Sequence, residues 1–107
     1  MSVDESSKGK TVSLRTGETL RVVLHSTYWH IDDPGDATTL RAKGAATVAA
    51  VLPGSGCVVG QGCGTVTQDF IAAAAGRSTL TAARTSCGEA MACAPDAASW
   101  SVTVVVG

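Results

Sequence analysis

The chain has 107 residues, a formal net charge of -1, 45% apolar residues and just four aromatic side chains, Tyr28, Trp29, Phe70 and Trp100. That length suits one domain and not two. The near-neutral charge leaves no electrostatic footprint for nucleic acid or anionic lipid, and no apolar run approaches the roughly 20 residues of a membrane-spanning helix.

In chain order, residues 1–10 (Met-Ser-Val-Asp-Glu-Ser-Ser-Lys-Gly-Lys) are polar and charged, and read as a flexible tail with little to bury. No signal peptide precedes them, so Met1 reads as an initiator placed directly before a mature, exported domain. The folded domain is expected over 11–107. Residues 11–15 alternate as a strand and Thr16-Gly17-Glu18 is a turn signal. In 19–25, Leu20, Val22 and Leu24 share one face, which period two assigns to the core. Residues 28–31 read as a short strand before the turn signal Asp32-Asp33-Pro34-Gly35-Asp36.

Two further strands are expected at 38–41 and 45–52, divided by Lys43-Gly44. Residues 65–72 alternate with Val66 and Phe70 on one side. The alanine run 73–76 is too short to stand as a helix and reads as a turn. Residues 77–84 turn Leu80 and Ala82 inward, and 99–106 do the same with Trp100, Val102, Val104 and Val106. About seven strands without an amphipathic helix predict an all-β, immunoglobulin-like sandwich of two antiparallel sheets.

Four cysteines form two matched C-x5-C pairs, Cys57/Cys63 and Cys87/Cys93, each bracketing small or glycine-rich residues. An even count in a small β-domain points to disulfides and hence to an extracellular or cell-surface location, either secreted or lipid-anchored; the alternative is a cytosolic protein with reduced thiols. Three pairings are possible. Chain proximity favours Cys57–Cys63 and Cys87–Cys93, each closing a loop or hairpin tip, whereas the crossed pairing would tie the two loops together. Structural zinc takes tighter knuckles than C-x5-C and redox chemistry takes C-x-x-C, so no metal or cofactor is expected.

An enzyme is not expected either. His25 and Ser26 are adjacent, with acids at Asp32, Asp33 and Asp36, but no nucleophile elbow is present, and Gly54-Ser55-Gly56 is a glycine-flanked serine in a turn. His30 with Asp32 and Asp33 reads as a solvated turn. Trp29 and Trp100 read as core residues, and Arg84 as a surface cation within reach of Glu89 or Asp69.

The order of these features resembles chagasin-like cysteine-protease inhibitors over residues 11–106. His25-Ser26-Thr27-Tyr28-Trp29 stands where that family has a Thr-Thr-Gly-aromatic loop followed by Trp, here shortened and without Asn-Pro and Gly. Gly62-Cys63-Gly64-Thr65 stands at a G-x-G-G loop, and the stretch from Phe70 through Gly76 to Leu80 is similar to a strand–turn–strand around a glycine. Arg84 precedes the third loop, where an Arg-Pro-aromatic motif is replaced by the segment from Thr85 to Cys93.

The resemblance implies an immunoglobulin-like fold whose three loops wedge into the cleft of a papain-like cysteine protease without chemistry. Ser26, Thr27 and Tyr28 would form the first loop, with Gly60, Gln61, Gly62 and Gly64 in the second and Gly88, Glu89 and Met91 in the third. Tyr28 and Met91 would be apolar anchors, Gln61 and Glu89 rim contacts, and the glycines points of close backbone approach. The protein is expected to be a monomer with a protein partner. The competing reading is a structural or cell-surface domain whose stapled loops offset a small core and have no protease target.

Overall fold

The computed structural model describes residues 1–50, 64–84, 86–88, 91–93 and 98–107, with the backbone alone at 50, 86–88 and 91–92. Among them are ten strands and a single 3-10 turn, Glu5–Ser7. The strands are β1 (Ser2–Val3), β2 (Thr11–Leu14), β3 (Thr19–His25), β4 (His30–Ile31), β5 (Leu40–Ala50), β6 (Gly64–Ala72), β7 (Gly76–Ala83), β8 (Ser86–Gly88), β9 (Met91–Ala92) and β10 (Ser99–Val106).

Eight of these strands build a sandwich, with the order β1-β3-β6-β5 in one sheet and β2-β10-β7-β4 in the other; β8 and β9 form a separate hairpin. The predicted all-β immunoglobulin-like sandwich is therefore present, with eight strands in its sheets rather than seven. Both sheets are mixed rather than antiparallel, because β1 runs parallel to β3 and β2 parallel to β10.

Alternation built the core as expected. Leu20, Val22 and Leu24 of β3, Val66 and Phe70 of β6, Leu80 and Ala82 of β7, and Trp100, Val102, Val104 and Val106 of β10 are all buried in one cluster. Two inward positions are polar and satisfied. Ser78 Oγ accepts the Asp36 N–H at 3.0 Å, and the Gln68 amide donates to the Gly44 carbonyl at 2.8 Å. Each bond keeps a buried polar group from being an uncompensated cost.

Residues 1–10, expected as a tail, instead form part of the sandwich. Val3 is buried in the core on β1, beside Val22 of β3. The chain then turns at Glu5–Ser7, capped by Asp4, whose Oδ1 accepts the Ser6 N–H at 2.9 Å. Gly9 donates to the Ser101 carbonyl at 2.8 Å, and β2 continues along β10. One segment thus edges first one sheet and then the other on the same side. The polar composition of 1–10 hides this, because parallel edge pairing leaves no local pattern.

A second difference lies in β5. The two strands expected around Lys43-Gly44 are one strand with a register shift between Lys43 and Thr47, where Gly44 takes a φ of 76°. Glycine enters the left-handed region freely, so the chain bulges there and does not stop. Residues 51 and 52, the expected end of that strand, lie outside the described residues.

Candidate functional site

Strand register places the strand ends that carry three connecting segments at one pole of the sandwich. His25 pairs with Thr65 and Ala50 with Gly64, so segments 26–29 and 51–63 leave from adjacent strand ends of the first sheet. Ala83 pairs with both Ser99 and His30, and the Arg84 N–H donates to the Ala98 carbonyl at 2.9 Å. Segment 85–97 therefore leaves the second sheet where segment 26–29 lands. The shortest segment, 26–29, crosses from the first sheet to the second, between the points where the other two begin.

Segment 26–29 is held tightly. Ser26 is 8% exposed and takes a φ of 137°, in a region that side-chain-bearing residues rarely enter. Its N–H donates to the Gly64 carbonyl at 3.0 Å and its Oγ accepts the Tyr28 N–H at 3.2 Å. Trp29 is buried and its indole N–H reaches back to the His25 carbonyl at 3.3 Å. The Arg84 guanidinium lies 4.5 Å from the centre of the Trp29 ring, a cation–π contact.

Of the site residues read from sequence, Ser26, Thr27, Tyr28 and Gly64 are thus brought together. Ser26 is buried and shapes its segment from within; Thr27 and Tyr28 are half-buried. Gly88 and Met91 face each other across the β8–β9 hairpin, the turned-back backbone expected between Cys87 and Cys93. The Cys93 sulfur is in a disulfide. Gly60, Gln61, Gly62, Glu89, Cys57 and Cys63 lie outside the described residues. Among the described residues no cluster of three or more His, Cys, Asp or Glu side chains could hold a metal.

Sequence reading missed three contacts, two of them at this pole. Arg84 does not pair with Asp69. That carboxylate binds Arg21 on the outer face of the first sheet, at 2.9 and 3.1 Å, and the bond lowers the Asp69 pKa. Trp29, expected only as core, also receives Arg84. His25, expected to face water, pairs through Nδ1 with Glu5 Oε1 at 2.9 Å, while its backbone N–H donates to Glu5 Oε2. Register alone puts Arg21 opposite Asp69 and could have found that pair; no sequence signal places Glu5 beside His25.

The Glu5 bond, and then its charge, raises the His25 pKa above the ordinary histidine value. The folded state therefore holds this proton more firmly than the unfolded chain. The resulting stability is fully present below the ordinary histidine range and is lost as pH rises through the raised value. Because the two side chains are 67% and 38% exposed, solvent screens the pair and the effect is a few tenths of a kcal/mol. Urea midpoints measured between about pH 5.5 and 8 should fall more in the native protein than in Glu5→Gln, where this component is absent.

Three connections thus leave from one pole of an immunoglobulin-like sandwich, and loops positioned by a rigid scaffold commonly carry function. No family model matches the chain, and comparison with curated proteins also gives no match. Solved structures do match. The cysteine protease inhibitor EhICP2 from Entamoeba histolytica superposes with a TM-score of 0.68 at 12% identity, over 99% of this chain and 93% of that one. The solution structure of amebosin matches with a TM-score of 0.65 at 18% identity, over 99% of this chain and 96% of that one. At such identities the likeness is one of fold, and the fold is that of the chagasin-like inhibitors.

Proposed function

We propose that this chain is an exported, monomeric protein-binding domain that inhibits papain-like cysteine proteases by seating segments 26–29, 51–63 and 85–97 in the active-site cleft. The observation that supports the reading is that the strand ends carrying all three segments lie at one pole of an inhibitor-type sandwich. Occlusion requires no chemistry from the inhibitor. It requires a wedge that loses little conformational freedom on docking, because ordering loops at an interface costs free energy. The internal bonds of segment 26–29 and the disulfide at Cys93 both act in that direction.

The β8–β9 hairpin supports Cys87 as the partner of Cys93, and a disulfide supports an oxidising, extracellular or cell-surface setting. Non-reducing peptide mapping tests that pairing. His25 is committed to Glu5 and the Ser26 hydroxyl to the Tyr28 amide, so neither supports a hydrolytic site.

Titration against papain tests the function. The protein should inhibit at submicromolar concentration, and Tyr28→Ala or Met91→Ala should each weaken inhibition about 10- to 100-fold, as loss of an interface anchor does. Full papain activity at micromolar protein would overturn the proposal.

A further inference from the structure

We propose that Arg84 is a positioning residue for the binding pole, its guanidinium pinning segment 26–29 to the neck of segment 85–97. The consequence for docking rests on the inhibitor reading above; the coupling itself rests on geometry. Segment 26–29 crosses between the sheets, and three of the polar bonds that fix its shape run to itself or to the first sheet: Ser26 to Gly64, Tyr28 to Ser26, and the Trp29 indole to His25. The edge of the indole is thereby tied to the end of β3. Its face takes the Arg84 guanidinium, 4.5 Å from the ring centre, from the second sheet.

Arg84 has a second commitment. Its backbone N–H closes the neck of segment 85–97 on the Ala98 carbonyl at 2.9 Å. One residue therefore holds the third segment by its main chain and the first by its side chain. Next to it, His30 pairs with Ala83, so the two segments meet on adjacent strands. Arginine suits this position because a planar guanidinium lies flat on an indole, whereas a lysine ammonium is a compact, strongly hydrated charge. A partner seated on the pole would strip water from the pair and strengthen it, so the contact gains in the bound state.

The test uses Arg84→Met and Arg84→Lys in the full chain with three readouts: thermal melting, hydrogen exchange, and papain inhibition. Both variants should remain folded, with core amides such as Leu80 and Val102 exchanging as in the native protein. In Arg84→Met, the Tyr28 amide and the Trp29 indole N–H should exchange about tenfold faster, and papain affinity should fall about tenfold through faster dissociation; Arg84→Lys should lie between. Unchanged exchange at Tyr28 and Trp29 would overturn the coupling whatever papain does. Faster exchange with papain inhibition as strong as native would overturn the docking role and leave the inhibitor reading standing. Failure of the native protein itself to inhibit papain would remove that reading, and the docking role with it.

Discussion

Gly76→Ala should lower the stability of the fold by about 2–4 kcal/mol, combining a strained backbone with a collision in a closed site. Gly76 opens β7 with a φ of 149°, and a Cβ built there would lie 2.6 Å from Thr39 Oγ1. Thr39 has little room to yield. It is 3% exposed, and its carbonyl accepts the Ala73 N–H at 2.8 Å and the Ala74 N–H at 3.4 Å. The turn between β6 and β7 is thus wound around Thr39, and Gly76 is where the returning chain passes closest to it.

A double-mutant cycle separates the two costs. Thr39→Ala removes the struck oxygen but not the backbone strain, so the double variant should be less destabilised than the sum of the single ones, by about 1 kcal/mol. Denaturant midpoints under non-reducing conditions measure each term. Gly76 pairs with Val106, at the pole remote from segment 26–29, so papain inhibition by the surviving folded protein should be unchanged. A Gly76→Ala variant within about 0.5 kcal/mol of native would mean that Thr39 yields and that the turn is not closed.

The contrast between strands that sequence reveals and strands that it hides has a physical basis. β3, β6, β7 and β10 carry one face against the opposite sheet, so burial imposes period two on their residues, down to the polar Gln68 and Ser78 standing at inward positions. β1 buries a single side chain, Val3, and two residues make no period. β5 is exposed on both faces from Arg41 to Ala49, so nothing forces alternation, and Gly44 reads as a break where the backbone only bulges.

The same logic governs the site. The strand ends that carry the three segments were legible because periodic strands border them. Their internal supports were not, because Arg84 meets Trp29 and Glu5 meets His25 through the fold, across long stretches of chain. Ser26 was legible as a loop residue, yet its φ and burial make it a shaping element more than a surface contact.

Trp100→Ala should cost about 3–5 kcal/mol, a large part of the 5–15 kcal/mol that holds a typical domain together. Trp100 is 2% exposed, buried in the core cluster on β10, and stands opposite Ala82 of β7. Truncation opens a cavity between the sheets and removes the bond from the indole N–H to the Asp4 carbonyl at 2.8 Å. Trp100→Phe isolates the second loss. It retains most of the apolar volume, so its cost should be nearer 1–2 kcal/mol and concentrated at the N-terminal turn. Exchange of the Ser7 and Gly9 amides should then accelerate well before that of Leu80 or Val102. Glu5 sits in that same turn, one residue beyond the carbonyl that Trp100 holds, and is the group that raises the His25 pKa. Freeing the turn should therefore return the His25 titration midpoint, followed by NMR, toward its ordinary value. An unmoved midpoint in Trp100→Phe would show that β1 and the Asp4 cap suffice to hold the turn, with the indole serving the core alone.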